Sequence, residues 1–232
     1  MDYINEYISK NPTMHLEHSE TKLKELLEVI PPKIYKSILD VGCGAGAITI
    51  ALKSILNPDR MVGLDVSGVM LAKARQLDKN ETVEWVQKSI YEISNDIFFD
   101  LVICADVVEH IEDDSRLIKH LATIGRNIVI RIPLEDSTFN RLLMSLKIYD
   151  PFKDTELRYG HIHHYNESQL EKLFKEAGLI IKMSIYKAMP KRSKMFWEVL
   201  RILCFPISLL SISAMVRFIG GFKIYLLEAC AE

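Results

Sequence analysis

Gly42, Gly44 and Gly46 alternate with Cys43 and Ala45 directly after the short run Ser37-Ile38-Leu39-Asp40-Val41. Glycines at that spacing let a chain turn sharply from a strand into a helix, so that its backbone comes close to a ligand and free helical N–H groups point at it. Asp65 stands about twenty residues further on, at the end of the next apolar run, where a carboxylate can take both hydroxyls of a ribose. Both features fit any ribose-bearing cofactor. Gly42, Gly44 and Ala47 also satisfy the loose dinucleotide pattern G-x-G-x-x-A, so a nicotinamide cofactor competes. Charge separates the two. A pyrophosphate at this loop would face the Asp40 carboxylate in a partly buried site, which is repulsive. S-adenosyl-L-methionine carries a sulfonium and an ammonium and no phosphate, and a nearby carboxylate favours both cations.

A second group is set up for proton transfer. His161, His163 and His164 fall within four positions, and His110 follows Glu109. Histidine titrates near neutral pH and is the most frequent general base. His161 is the expected base, with His110 second. The plainer alternative is a loop histidine that bonds backbone or packs, and Glu109 and His110 could equally brace the loop that carries them. His-x-His-His with nearby carboxylates could also hold a divalent ion. Adjacent side chains of an extended chain point to opposite faces, so at most His161 and His163 could share one site. No metal is assigned.

Several elements must position these residues. Leu16, Leu23, Leu26, Leu27 and Ile30 recur at near-helical spacing within residues 3–30, and Pro31-Pro32 ends that run. Strands are expected at Ser37–Val41, Met61–Leu64, Val83–Val86, Phe99–Cys104, Asn127–Ile132, Ile180–Tyr186 and Phe222–Ala229. Helices are expected over 48–56, from Ser67, over 113–123 and over 167–177. Asn166 and Gln169 form a capping-box pair before the last of these, and Gly178 sits where a C-terminal glycine belongs. Residues 134–165 read as a longer connection on the substrate side. Strands alternating with helices predict an α/β fold whose parallel sheet is covered on both faces and binds ligands at the C-terminal strand ends.

The chain has 232 residues, 29 Lys and Arg against 31 Asp and Glu, and a formal charge of −2. That length suits one domain over 1–232, and the charge argues against a nucleic-acid partner. The four cysteines form no CxxC pair, and the N-terminus lacks the order of a signal peptide, so a reducing, cytoplasmic setting is expected.

The stretches ILDVGCGAGAITIAL, VGLDVS and FDLVICADVVEHIED, with GHIHHY and EAGL later, resemble the class I S-adenosylmethionine-dependent methyltransferases. The 104–110 region is similar to the ubiquinone-biosynthesis O-methyltransferase type and its small-molecule relatives. The resemblance spans about residues 35–186. It implies a Rossmann-like, doubly wound, seven-stranded sheet, mostly parallel, with an antiparallel last strand at Phe222–Ala229. It also implies that Asp40, Gly42, Cys43, Gly44 and Gly46 line the methionine end of the cofactor. Asp65 would hold the ribose, with Val66 and Met70 near the adenine. Many relatives place an acidic residue after the third strand, where this chain has Ser89 followed by Ile90. Ala105 and Asp106 fall where the family closes over the cofactor, although Asp106 could instead cap the next turn. The implied reaction moves the methyl group to a small-molecule or lipid-like acceptor, more readily oxygen than nitrogen, and leaves S-adenosyl-L-homocysteine. A nicotinamide-dependent oxidoreductase and a non-catalytic cofactor-binding subunit are the alternatives.

Two flanking segments complete the reading. Residues 1–32 could form a helical lid, with Tyr3, Tyr7, His15 and His18 toward the acceptor. Ile202–Val216 has no charged residue but is too short, and interrupted by Pro206, to span a bilayer. Lys187, Lys191, Arg192, Lys194 and Arg201 precede or open it beside Phe196 and Trp197. The 190–220 insertion therefore reads either as a peripheral anchor at the inner membrane face, or as a helical pair that caps the acceptor pocket or forms a homodimer face.

Overall fold

The computed structural model describes residues 18–189 and 211–230. Tyr3, Tyr7 and His15 of the expected lid, and most of the basic and apolar insertion, lie outside those residues. Seven strands form one sheet in the order β3-β2-β1-β4-β5-β7-β6. They are β1 (Ser37–Val41), β2 (Arg60–Asp65), β3 (Glu84–Gln87), β4 (Phe99–Ala105), β5 (Gly125–Leu134), β6 (Leu179–Ala188) and β7 (Gly221–Ala229). β7 runs antiparallel to both β5 and β6, while β1 to β5 pair in parallel. The strand order reverses between β1 and β4, and this is where an open sheet leaves a crevice.

Eight α-helices are described: α1 (Ser19–Leu27), α2 (Ala47–Leu56), α3 (Gly68–Leu77), α4 (Asp114–Ile124), α5 (Thr138–Ser145), α6 (Pro151–Tyr159), α7 (Glu167–Glu176) and α8 (Ile212–Ile219). Two apolar clusters cover the two faces of the sheet. One gathers Leu39, Val41, Val102, Ile128 and Ile130 with Leu117 and Leu121 of α4 and Leu170 and Phe174 of α7. The other gathers Ile38, Leu101, Ile103 and Val129 with Leu26 of α1 and Leu52 of α2. Alternate residues of β1 and β4 thus face opposite layers, which is why both strands are mostly apolar apart from Asp40 and Asp100.

The connection at 134–165 is more ordered than its sequence suggests, because it holds α5 and α6. Both carry start signals. The Ser137 hydroxyl accepts from the Asn140 amide at 3.2 Å, and Asp150 accepts from the Phe152 and Lys153 amides just before Pro151 opens α6. The capping box of α7 forms as its spacing predicts, with reciprocal bonds of 2.8 and 3.1 Å between Asn166 and Gln169. Of the apolar insertion, α8 is described. Its Met215 and Ile219 pack with Phe139 of α5 and Ala188 of β6. No helix among the described residues is long and apolar enough to cross a membrane.

β5 is apolar apart from Arg131 over most of its length, and that arginine joins α1 to the sheet. Its Nε bonds the Glu25 carboxylate of α1 at 2.9 Å, and its Nη1 pairs with Asp106 after β4. Lys22 of α1 reaches the other oxygen of Asp106 at 2.7 Å. The guanidinium also lies 3.7 Å from the Phe222 ring centroid. Burial alone would raise the Asp106 pKa, but Arg131 and Lys22 hold it well below the usual carboxylate range. Removing the arginine would take the described partner from the buried Glu25 and leave Asp106 to Lys22 alone. Arg131→Ala is expected to cost about 3–5 kcal/mol of stability in urea unfolding. A loss below about 1 kcal/mol would mean that this network contributes little to the docking of α1.

Candidate active site

The loop between β1 and α2 is folded around two carboxyl groups. Gly42, Gly44 and Gly46 all have positive φ, at 68°, 55° and 79°. At Gly46 a side chain would collide with Trp85 at 2.4 Å and Ala74 at 2.7 Å, so this glycine is required by packing. At Gly44 a Cβ would meet nothing within 4 Å. Its backbone therefore faces open space, as a close approach to a ligand needs. The Asp65 Oδ2 accepts the Gly44 amide at 2.9 Å, and its Oδ1 accepts the Ser67 amide at 2.8 Å. The end of β2 thus clamps the loop, and each oxygen retains a lone pair for a further hydroxyl. Burial raises the Asp65 pKa against these backbone bonds.

Asp40 lies beneath the loop and is 4% exposed. Thr49 of α2 donates to its Oδ2 at 2.6 Å. Burial pushes the Asp40 pKa up to about 7; the Thr49 bond opposes the rise and the nearby Asp65 adds to it. The sequence reading treats Asp40 as a fixed negative charge. The structure makes it a carboxyl poised between its two protonation states near neutral pH. Cys43 packs where a Gly63 side chain would stand, and burial raises its thiol pKa, so it is an inert packing group.

The other expected cofactor residues lie around the same strand ends with unequal parts. Val66 is exposed, whereas Met70 is buried, in the first turn of α3. Ser89 caps the short turn Ile90–Glu92: its hydroxyl accepts from the Tyr91 amide at 3.4 Å and its own amide bonds Glu92 at 2.7 Å. Ile90 points into the core, which leaves its backbone alone available. Ala105 packs with the α1-side cluster. Asp106 caps no turn. Its carboxylate is taken by Arg131 and Lys22 and its backbone is left-handed, with φ 57°.

Across the crevice, the turn Val108–His110 is zipped to the histidine segment. The amides of Ile162 and His163 both bond the Glu109 carbonyl, at 2.9 and 3.2 Å. His110 Nδ1 lies 3.1 Å from the Gly160 carbonyl. His110 and His161 meet edge to face with ring centroids 5.0 Å apart. The two expected bases are therefore neighbours. Burial and the adjacent His161 lower the His110 pKa to about 4, so this ring is neutral at physiological pH. Glu109 is buried, and burial together with Asp106 raises its pKa well above the carboxylate range, with one oxygen unpartnered. Glu109, His110 and His161 each bring one nitrogen or oxygen to within 4.8 Å of the others, a spacing that one cation could bridge.

His161 and His163, the two that alternation would allow to share a site, do not meet. His163 turns away, with Nε2 3.0 Å from the Ile111 carbonyl. His161 and His164 instead share Glu135, at 3.0 and 2.7 Å. The segment is not a regular strand, so alternation does not govern it. The sequence reading points to the strand end from Arg131 onward, but the pairing of Arg131 with Glu25 and of Glu135 with the two histidines escapes it. The available signal is the placement of Arg131 and Glu135 in and after an apolar strand, where a charge needs a partner.

The description "Methyltransferase domain" matches a family model over residues 15–181. The chain is 26% identical over 147 residues to the ubiquinone biosynthesis O-methyltransferase of Rickettsia conorii, covering 52% of this chain and 50% of that one. It is 30% identical over 157 residues to the mitochondrial ubiquinone biosynthesis O-methyltransferase of Dictyostelium discoideum, covering 61% of this chain and 42% of that one. It thus spans about half the length of the curated relatives it matches or less. Among solved structures, a chain of the complex between the Haloferax volcanii Trm112 methyltransferase activator and a methyltransferase superposes with a TM-score of 0.69. That pair is 16% identical, and the match covers 100% of this chain and 97% of that one. The seven-stranded topology, the glycine loop and the match over most of the chain agree: this protein belongs to the class I, S-adenosyl-L-methionine-dependent methyltransferases.

Proposed function

We propose that the protein transfers the methyl group of S-adenosyl-L-methionine to an oxygen of a small or lipid-like acceptor, and releases S-adenosyl-L-homocysteine. The observation that carries this reading is the Asp40 carboxyl buried beneath a loop whose Gly44 backbone opens on free space. The bound donor supplies a methyl group already activated by its sulfonium. The protein's part is alignment, exclusion of water and removal of a proton.

In this reading Asp40 places negative charge under the methionine end, lined by Gly42, Cys43, Gly44 and Gly46. Asp65 accepts the ribose hydroxyls through its remaining lone pairs. Val66 and Met70 flank the adenine, with the backbone of Ser89 and Ile90, and Ala105 and Asp106 form the facing wall. His161 takes the proton of the acceptor hydroxyl, and His110 is its neutral neighbour. The family match displaces the nicotinamide alternative. The curated relatives' own name, O-methyltransferase, supports oxygen as the acceptor atom.

An apolar acceptor or a membrane-bound one is supported by the helices beside the histidines. Leu142, Leu146, Ile148, Leu157 and Ile162 are all about half exposed or more. These positions lie in the segment from α5 to the histidines, so an apolar acceptor arriving there meets apolar surface.

Two measurements test the reading. With S-adenosyl-L-methionine and a panel of phenolic and lipid-linked alcohol acceptors, the wild type should form S-adenosyl-L-homocysteine. His161→Ala should lower that rate by about 10²–10⁴-fold while calorimetric affinity for the donor stays within about twofold. Donor that remains unchanged with every acceptor would favour a non-catalytic cofactor-binding subunit. Donor affinity should also depend on pH through Asp40. Below about 7 the free protein holds Asp40 protonated, and a cationic ligand binds the ionised form better. Affinity should therefore fall as pH drops below 7, by up to about tenfold per pH unit, with proton release on binding. Asp40→Asn should flatten that slope; a slope that survives the substitution would remove Asp40 from the donor site.

A further inference from the structure

Glu135 directly follows β5 and is 3% exposed. Its Oε1 bonds His161 Nδ1 at 3.0 Å. Its Oε2 lies 2.7 Å from His164 Nδ1 and 3.2 Å from the Thr155 hydroxyl, whose one proton is also within reach of the Pro151 and Phe152 carbonyls. Both oxygens are flanked by imidazole nitrogens, and although burial would raise its pKa, the bonds to His161 and His164 hold this carboxyl down to about 2, so it is ionised. A carboxylate in that state only accepts, and so the proton of the bond to His161 belongs to Nδ1. In a neutral imidazole the other nitrogen, Nε2, is then bare. We infer that Glu135 is the positioning residue of this site: it fixes His161 as the Nδ1–H tautomer and leaves Nε2 as the lone pair offered to the acceptor. The role assigned to that lone pair rests on the reading of His161 as the base; the tautomer itself does not.

The same carboxylate ties the base to the acceptor-side helices. The Asn140 amide group of α5 donates to the Glu135 backbone carbonyl at 2.7 Å. Thr155 belongs to α6, and the His164 ring stacks on Phe152 of α6 with centroids 4.3 Å apart and planes 5° from parallel. Any shift of α6 relative to β5 therefore pulls on the group that orients His161. His110 is set in the same tautomer by a different acceptor, the Gly160 carbonyl. Two neighbouring imidazoles thus present bare Nε2 atoms, one ordered by a backbone carbonyl and one by a buried side chain. Of the two, the side chain alone can be altered by substitution.

A glutamine at 135 keeps the shape but offers one accepting oxygen and one donating NH₂. It can satisfy one Nδ1–H, and the histidine facing the NH₂ must accept at Nδ1 and carry its proton on Nε2. The test is ¹⁵N-histidine NMR of the whole protein without acceptor, above the pH at which the rings are neutral, with resonances assigned from single histidine-to-glutamine variants. The wild type should show His161 and His164 protonated at Nδ1 and bare at Nε2. Glu135→Gln should convert at least one of them to the Nε2–H form, with donor affinity within about twofold by calorimetry. Wild-type His161 protonated on Nε2 would overturn the proposal without any variant. So would Glu135→Gln with both tautomers unchanged, or with donor affinity reduced more than tenfold, which would mark Glu135 as a general support of the fold. If His161→Ala leaves turnover intact while these tautomers hold, the base assignment fails and the positioning role of Glu135 stands.

Discussion

Asp40 is an acid kept out of water at the end of the first strand, and the rest of the site is arranged around that cost. A carboxyl whose folded pKa lies near 7, against 3.8 for the ordinary group, binds its proton more tightly in the folded chain. Folding stability therefore falls as pH rises from about 4 toward 7, because the unfolded chain releases that proton more readily. A structure optimised for stability alone would place an apolar residue here. The bond from Thr49 is the one side-chain contact that favours the ionised form, and it is too little to offset burial and the neighbouring Asp65. In the proposed reading, the sulfonium and ammonium of the donor favour the ionised form of this carboxyl. The glycine loop fits the same requirement, since only a backbone without side chains can lie between such a ligand and the strand end.

The sheet brings the two halves of the site together through its order. β1 and β4 are neighbours, with Asp40 paired in register to Ile103. The loops that leave these two strands therefore open on one crevice. β5 then brings Arg131 opposite Ala105, one residue before Asp106. This lets a single guanidinium reach both the β4 loop and Glu25 of α1. Helix α1 is docked to the sheet by charge as well as by Leu26. In the proposed reading, a change at Asp106 would reach both the cofactor wall and the docking of α1.

Much of this was legible from the sequence because it obeys local rules. The strand-end positions of Asp40 and Asp65, the glycine spacing, the capping box at Asn166 and the glycine at 178 each follow from a short-range physical requirement. Even α5 and α6 carried start signals at Ser137 and Asp150, outweighed by the absence of a long apolar period between them. What could not be read was long-range. Nothing near Arg131 in the chain announces Glu25, 106 residues away, and nothing near Glu135 announces two histidines 26 and 29 positions later. Alternation could not say which histidines share a partner because it presumes a strand, and the segment instead bends to bond the Glu109 carbonyl twice. The ionisation of Asp40 was likewise hidden, since burial is a property of the folded chain.

The acids of this crevice show how one fold holds carboxyl groups in different states within a short distance. Glu135 is surrounded by donors, and although burial alone would raise its pKa, bonds from His161 and His164 draw it down to about 2. Glu109 has the opposite surroundings: it is buried, it faces the charge of Asp106, and one oxygen has no partner. The two carboxyl pKa values are thus pushed in opposite directions, Glu109 up and Glu135 down. Environments that push two acids apart are the usual way to divide accepting and donating roles at one pH. Between them, His161 is bonded to the acid whose pKa is lowered and lies beside the one whose pKa is raised. In the proposed reading, this asymmetry turns the Nδ1 side of His161 toward a carboxylate and leaves its other nitrogen to the acceptor hydroxyl.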